Sequence, residues 1–171
     1  MLFFLATPES SIVQTKTTKI RVHLSSGVAE IYEEHQDLMG RIDNDLVEFE
    51  TNFDNKIETS KYLVQEGVFV VSTKNTISVD LENSETAVYV YAKRVFEISS
   101  KAKSSLDIIS KEYETKTSLL EREEQRLKEE QATKDNKTSA SYELVKSSNL
   151  MLLKEDVEFL RKVILVIKEL K

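Results

Sequence analysis

Residues 150–167 read LMLLKEDVEFLRKVILVI, and apolar side chains recur in this stretch every third or fourth residue. This spacing places them on one side of an α-helix, where they can pack against a partner helix. The pattern predicts a helix over residues 142–170. Its apolar stripe consists of Leu150, Leu153, Val157, Leu160, Ile164 and Ile167.

A similar but less regular stripe predicts an earlier helix over residues 84–131. Ser84 is a suitable N-cap residue, and Glu85 places a carboxylate in the first turn. From Val68 to Lys171 the chain contains neither glycine nor proline, so little interrupts a helical region. We expect the two helices to form an antiparallel hairpin with its turn at about residues 132–141. The expected seam consists of Val88, Tyr91, Val95 and Ile98 on the first helix, and Leu153, Val157, Leu160, Ile164 and Ile167 on the second.

The first 83 residues instead alternate apolar and polar side chains, which is typical of half-buried strands. Residues 19–24 and 47–53 alternate most clearly, and residues 68–72 and 76–81 flank a polar break of hairpin size. Shorter apolar runs bring the total to about eight candidate strands, a density that predicts a small antiparallel β-sandwich. These runs are residues 2–5, 12–13, 29–31 and 62–65. The predicted fold class is α+β, with a sandwich over 1–83 and a long helical hairpin over 84–171.

The composition excludes several classes of function. There is no cysteine, which removes disulfides, thiolate nucleophiles and cysteine-ligated zinc. The net charge is −6; residues 1–83 carry 7 basic and 14 acidic side chains, and residues 84–171 carry 17 and 16. Neither half has the clustered basic surface of a nucleic-acid-binding protein. No apolar run approaches the roughly 20 residues of a membrane span, so we expect a cytoplasmic protein.

The sequence contains no recognisable catalytic motif. A phosphate-binding P-loop is impossible, because the glycines are only Gly27, Gly40 and Gly67. Residues 33–37 place three carboxylates around His35, which is compatible with a metal site or with an exposed polar loop. The loop is favoured, because a transition-metal site normally recruits more than one nitrogen or sulfur ligand. We therefore expect a binding or structural protein without cofactor or metal, and not an enzyme.

Three segments occur in the order and spacing of a known family. Thr18–Leu24, GVAEIYEEH at 27–35 and Leu38 resemble the strand and the G-x-x-G-[IV]-x-x-G-H-x-x-[LM] segment of epsilon subunits of F-type ATP synthases, called delta in mitochondria. YLVQEGVFVV at 62–71 resembles the family's strand that ends in a glycine pair. NTISV at 75–79 resembles its hairpin arm.

The chain also departs from the family pattern. Glu30 and Glu34 replace family glycines, and Glu66 replaces the first glycine of the pair. Val28 stands where many members carry an acidic residue that faces the ring of c subunits, which leaves a contact with that ring open. These departures and the long helical tail resemble a divergent member, such as those of the F-type-like ATPases of mycoplasma-type bacteria.

The resemblance implies a central-stalk subunit that binds gamma through its sandwich and turns with it, on a complex peripheral to the inner face of the membrane. Val28, Tyr32, His35 and Leu38 are then the candidate contacts to gamma or the rotor. The C-terminal helices would reach the alpha and beta subunits and regulate ATP hydrolysis. Residues 92–95 offer only Arg94 of the family's nucleotide-sensing motif, so no ATP binding is expected. The alternative is a coiled-coil adaptor with a β-sandwich head and no ATPase partner.

Overall fold

A computed structural model describes residues 1–54, 56–73, 86–133 and 140–170, without the side chains of 130–133 and 140–146. The chain divides into two compact units, Met1–Ser99 and Ser100–Lys171. The first unit is a β-sheet and the second is helical. The predicted α+β class, with an N-terminal sheet and two C-terminal helices, is confirmed.

The described residues of the first unit form eight strands. They are β1 (Leu2–Ala6), β2 (Ser11–Lys16), β3 (Lys19–Leu24), β4 (Gly27–Ile31), β5 (Leu38–Ile42), β6 (Asp45–Phe53), β7 (Lys56–Ser72) and β8 (Ala87–Glu97). Their order is β2-β1-β8-β7-β6-β3-β4, and β5 pairs with β7 as well. All pairs are antiparallel except β1 and β8, which run parallel. The expected antiparallel architecture therefore holds for every strand pair but one.

The sheet folds over itself around strand β7. Strands β5 and β6 share one edge of β7 in continuous register, with Ile42 opposite Gly67 and Asp45 opposite Val64. Between these pairs Glu66 has a φ of 45°, a left-handed conformation that reverses which side of the strand faces inward. This is the position where the resembling family carries a glycine. The inward residues are Tyr62 and Val64 before the bend, and Phe69 and Val71 after it.

A single core forms between the two halves of the folded sheet. The rings of Phe3 on β1 and Phe49 on β6 lie 4.9 Å apart, although β8 and β7 separate these strands in the sheet order. The sheet must therefore curl until its inner faces meet, as in a sandwich or barrel. Buried side chains from seven strands fill this core: Phe3, Leu5, Ile20, Val22, Ile31, Ile42, Val47, Phe49, Val64, Phe69, Val71, Val88 and Val90.

Strand β8 replaces the first part of the predicted first helix, whose second part is helical as α1, Leu106–Thr133, and it moves the boundary predicted at residue 83. Residues 87–97 were expected to be helical, but they form a central strand between β1 and β7. The sequence Val88-Tyr89-Val90-Tyr91 consists of β-branched and aromatic residues, which favour a pleated strand, and it also fits period two. Pairing along both edges then decides between the two periods. The boundary between the units accordingly lies at Ser99.

The other strand predictions agree with the structure in part. Strands β1, β2, β3, β4 and β6 contain predicted runs, whereas β5 was missed. Residues 62–65 and 68–72 were expected to be separate strands but belong to one, β7. The predicted strand 76–81 and the N-cap at Ser84 lie outside the described residues.

The helical unit begins with a short 3₁₀ helix, Ser100–Ser105, followed by α1 (Leu106–Thr133) and α2 (Ala140–Glu169). The helices run antiparallel, because Lys116 pairs with Asp156 and, further along α1, Glu124 pairs with Lys154 at 2.8 Å. The predicted second helix agrees with α2. The predicted turn at 132–141 spans the ends of both helices, and residues 134–139 are not described.

The α2 residues of the predicted seam are buried or half-buried. Leu160 and Ile167 are buried, and Leu153, Val157 and Ile164 are half-buried. Phe159 and Val163 are buried as well. The seam residues assigned to the first helix are misplaced because a strand replaces the first part of that helix: Val88, Tyr91 and Val95 lie on β8, and Ile98 follows it. In the described part of the chain, neither helix is apolar enough over sufficient length to cross a membrane.

Substitutions at two adjacent residues of β8 test the strand against the helix. Val90 is buried in the core and Tyr91 is about half exposed, whereas a helical seam would bury Tyr91 and not Val90. We expect Val90→Ala to lower the free energy of unfolding by about 2 kcal/mol. Tyr91→Ala should lower it by less than about 1 kcal/mol. Urea unfolding measures both values, and the reverse ranking would contradict the strand.

Candidate functional site

The outer face of the sheet divides into a charged half and an apolar half. Strand side chains alternate between the core and the outer face, so the register of the strands shows which outer residues are neighbours. The charged half lies on β4, β3, β6 and the first part of β7. We call it the charged face; it consists of Lys19, Arg21, His23, Glu30, Glu48 and Lys61.

Glu30 is the centre of the charged face at the β4 edge. Its carboxylate accepts hydrogen bonds from Arg21 Nε at 2.6 Å and from the Tyr32 hydroxyl at 2.9 Å. Lys19 Nζ lies 3.1 Å from the same carboxylate and 5.4 Å from the centre of the Tyr32 ring. The Arg21 hydrogen bond, reinforced by Lys19 and Tyr32, lowers the pKa of Glu30 to about 2.

Glu48 neutralises the other side of the charged face. Lys61 Nζ lies 2.6 Å from one of its oxygens, and His23 Nε2 lies 3.7 Å from the other. Burial is the largest single influence on Glu48 and opposes its ionisation, but the hydrogen bond and charge of Lys61 together with His23 outweigh it, so the pKa of Glu48 lies below its ordinary value. Both carboxylates thus find their countercharges within the sheet. Few charges on this face remain unneutralised, so it offers little to select an ionic ligand.

The apolar half lies on β5, the second part of β7, β8 and β1. We call it the apolar face; it consists of Phe4, Met39, Val68, Val70, Tyr89 and Tyr91. In the register, Met39, Val70, Tyr89 and Phe4 form one row across four strands. The rings of Phe4 and Tyr89 stack with centroids 4.9 Å apart.

The apolar face is open to solvent where it is most apolar. The exposed fraction of Met39 is 76%, and Val68 and Tyr91 are each about half exposed. Single exposed apolar residues are ordinary on protein surfaces, but a contiguous group on one flat face is typical of a protein-protein contact. Aromatic residues and methionine are also the residue types enriched in such contacts. The apolar face is therefore the strongest candidate for a binding surface on the sheet unit.

The sequence-predicted contact residues do not share one face. Val28 and Tyr32 are exposed at the β4 edge, beside the charged face. Leu38 begins β5 and stands opposite the inward-facing Val71, so it follows the inner side of the sheet. His35 lies in the segment between these strands; it is half-buried, and its Nδ1 lies 2.8 Å from the Gln36 carbonyl oxygen.

The acidic segment around His35 forms hydrogen bonds with the backbone and the side chain of Thr86. Glu33 accepts a hydrogen bond from Thr86 N at 3.2 Å, and Glu34 N donates to the Thr86 hydroxyl at 2.9 Å. Among the residues that the structure describes, no three His, Cys, Asp or Glu side chains gather as metal ligands. The segment acts as a structural link to the start of β8.

The helical unit contains a groove between α1 and α2. It has a volume of about 370 Å³ and is lined by Leu119, Glu123, Leu127, Asn149, Leu150 and Leu153. Met151 and Leu152 are exposed on α2 next to these lining residues in the chain. The apolar surface of α2 is therefore wider than its contact with α1.

Sequence reasoning missed the apolar face because it depends on β8 being a strand. With residues 87–97 read as a helix, Tyr89 and Tyr91 fall on different sides and join no surface. The signal that could have found the face is the alternation of valine and tyrosine at 88–91, which puts both tyrosines on one side of a strand.

Among the comparisons with known proteins, matches come from solved structures. No protein-family model and no curated protein matches the chain. One similar solved structure is a chain of the Euglena gracilis mitochondrial ATP synthase, from its OSCP/F1/c-ring part; the TM-score is 0.44, the identity 12%, and the match covers 65% of this chain and 64% of that one. Another is a chain from the central stalk and c-ring of the Tetrahymena thermophila mitochondrial ATP synthase, with a TM-score of 0.44, 9% identity and 95% coverage of each chain. Both TM-scores are below 0.5, so neither similarity establishes a role for this chain.

The Glu30 cluster predicts a specific dependence of stability on pH. Because the pKa of Glu30 is lowered on folding, its contribution is fully present above the ordinary glutamate value of 4.5 and is lost as the pH falls towards about 2. We expect the wild type to lose more stability over this interval than Glu30→Gln, measured by urea unfolding at several pH values. Glu9→Gln, at an exposed residue without an ion pair among those described, is the control. Equal slopes for Glu30→Gln and the wild type would contradict the assignment.

Proposed function

We propose that this chain is a central-stalk subunit of an F-type or F-type-like ATPase, similar to the epsilon subunit, and that it binds gamma through the apolar face of its sheet. The observation that carries the proposal is the apolar face itself, on a sheet that already has a complete core. Sequence resemblance over the sheet unit and the order of sheet before helical hairpin support the choice of partner.

The arrangement of charges favours binding over catalysis. Glu30 and Glu48 form ion pairs on the outer face of the sheet, and the adjacent cations keep both carboxylates ionised. A general acid needs a carboxyl whose pKa is raised towards neutrality, which is the opposite shift. The proposal is therefore a non-catalytic subunit of an enzyme complex.

The proposed contacts with gamma extend beyond the apolar face. Val28, Tyr32, His35 and Leu38 follow one another along the chain from the β4 edge to the start of β5, and Leu38 is adjacent to Met39 of the apolar face. The proposal places this segment at the margin of the gamma contact. A contact with the c-ring is not part of it, because Val28 stands where the family's acidic residue would be.

The helical unit is proposed to reach the alpha and beta subunits and to restrain ATP hydrolysis. Its exposed apolar residues on α2 and the groove between α1 and α2 supply surfaces for a further helix. The subunit would then be peripheral to the membrane, as part of the larger complex.

Binding to purified gamma from the same genome tests the main proposal. We expect Tyr91→Ser and Val68→Ser each to weaken binding at least about 10-fold, because each removes exposed apolar area from the contact. Calorimetry measures the affinity. Ile12→Ser, at an exposed isoleucine of β2 outside the apolar face, is the matched control and should bind as the wild type does.

Two outcomes would reject this proposal. The wild type could fail to bind gamma, or it could bind while neither substitution in the apolar face changes the affinity. Self-association of the full chain through α2, without gamma binding, would favour the coiled-coil adaptor instead.

The regulatory role is tested by removing the helical unit. A chain that ends at Ser99 keeps all eight strands and every residue of the sheet core, whereas one that ends at residue 83 loses the central strand β8. We expect the assembled alpha-beta-gamma complex to hydrolyse ATP faster with the Ser99 truncation than with the full chain. Steady-state ATP hydrolysis measures the difference, and equal rates with equal binding would reject inhibition by the helices.

A further inference from the structure

The hairpin formed by β6 and β7 extends beyond the rest of the sheet. Strands β6 and β7 pair continuously to Phe53 opposite Lys56. On one side, β3 accompanies β6 only as far as Glu50. On the other side, β8 accompanies β7 only from Tyr62 onwards. Residues 51–54 and 56–59 therefore form a two-stranded arm, called the arm below, which has no neighbouring strand on either side among the described residues.

The tip of the arm carries two large apolar side chains in solvent. The exposed fractions are 73% for Phe53 and 68% for Ile57, and the described residues from 52 to 59 are all exposed. A two-stranded ribbon has no core of its own, so neither side chain contributes burial to the sheet. An exposed aromatic residue at the end of a projection is the usual form of an anchor for a partner.

The two apolar side chains point to opposite faces of the arm. Phe53 follows Val47 and Phe49 on the inward-facing side of β6. Ile57 stands opposite Asn52, and both follow the outward-facing side. A flat partner surface could cover only one of these faces. A cleft with walls on both sides of the ribbon could cover both.

Charge distinguishes a protein cleft from a lipid surface. The arm carries the carboxylates Asp54 and Glu58 and the cation Lys56, so residues 51–59 have a net charge of −1. Residues 1–83 are themselves strongly acidic. Anionic membranes attract basic segments and would repel this one. The complementary partner is a protein cleft with apolar walls and a basic rim.

We infer that the arm inserts into a cleft of this kind in a neighbouring subunit, with Phe53 and Ile57 as anchors on its two faces. The inference rests on the proposed function, since the neighbouring subunit belongs to the alpha-beta-gamma assembly. It adds a second contact, separate from the apolar face, on the opposite end of strand β7.

Affinity for the purified alpha-beta-gamma assembly from the same genome tests the inference. We expect Phe53→Ser and Ile57→Ser, each in the full chain, to weaken binding at least about 10-fold. Both positions are exposed, so circular dichroism and urea unfolding should match the wild type. Ile12→Ser is the control for loss of an exposed isoleucine and should leave the affinity unchanged. Vesicles of phosphatidylcholine and phosphatidylglycerol are the lipid probe, and the wild type should not sediment with them.

The outcomes separate the arm from the proposed function. Wild-type binding that neither arm variant weakens overturns the arm and leaves the proposed function standing. Weakening by only one of the two variants overturns the cleft, because a flat surface would account for it. Sedimentation with vesicles that both variants abolish overturns the protein partner. If the wild type does not bind the assembly, both the arm and the proposed function fall.

Discussion

The pairing of β7 along both its edges is the constraint on which the sheet unit depends. β7 holds β5 and β6 on one edge and β8 on the other, and its left-handed residue Glu66 turns the inner face from one side of the strand to the other. Without this reversal, Val64 and Phe69 could not both face the core. Lys93 Nζ lies 3.0 Å from Glu66 across the β7–β8 pair, which compensates part of the cost of a left-handed glutamate.

The same strand pairing divides the outer surface of the sheet into the charged face and the apolar face. Charged residues of β3, β4 and β6 meet the first part of β7 and neutralise one another through Glu30 and Glu48. Aromatic and aliphatic residues of β1, β5 and β8 meet the second part, and Arg41 at its margin pairs with Asp43. If this protein binds a partner through its sheet, we expect it to use the apolar face. Removing water from the charged face costs more free energy than new contacts there would restore.

A polar pair within an apolar seam favours one alignment of the two helices. Lys116 and Asp156 are both largely buried where α1 meets α2, and Ile109, Leu160 and Ile167 are buried in the same unit. Such a pair adds little net stability, but a shifted register would leave each charge without its partner. It therefore favours one alignment of the hairpin, which the leucine spacing alone would not select.

The sequence by itself determined the α+β class, helix α2 and the strands whose alternation is unambiguous, such as Ile20 and Val22 on β3. These features follow from periodicity, a local property of the chain. Its three glycines also exclude a P-loop. Only the tertiary structure decided whether residues 87–97 form a helix or a strand. Val88, Tyr91 and Val95 fit helical spacing, whereas Val88, Val90 and Ala92 fit the alternation of a strand. Two flanking strands settle that ambiguity by hydrogen-bonding both edges of β8, and with it they create the apolar face. The arm likewise could not be predicted from the sequence, because it projects only where the neighbouring strands β3 and β8 end.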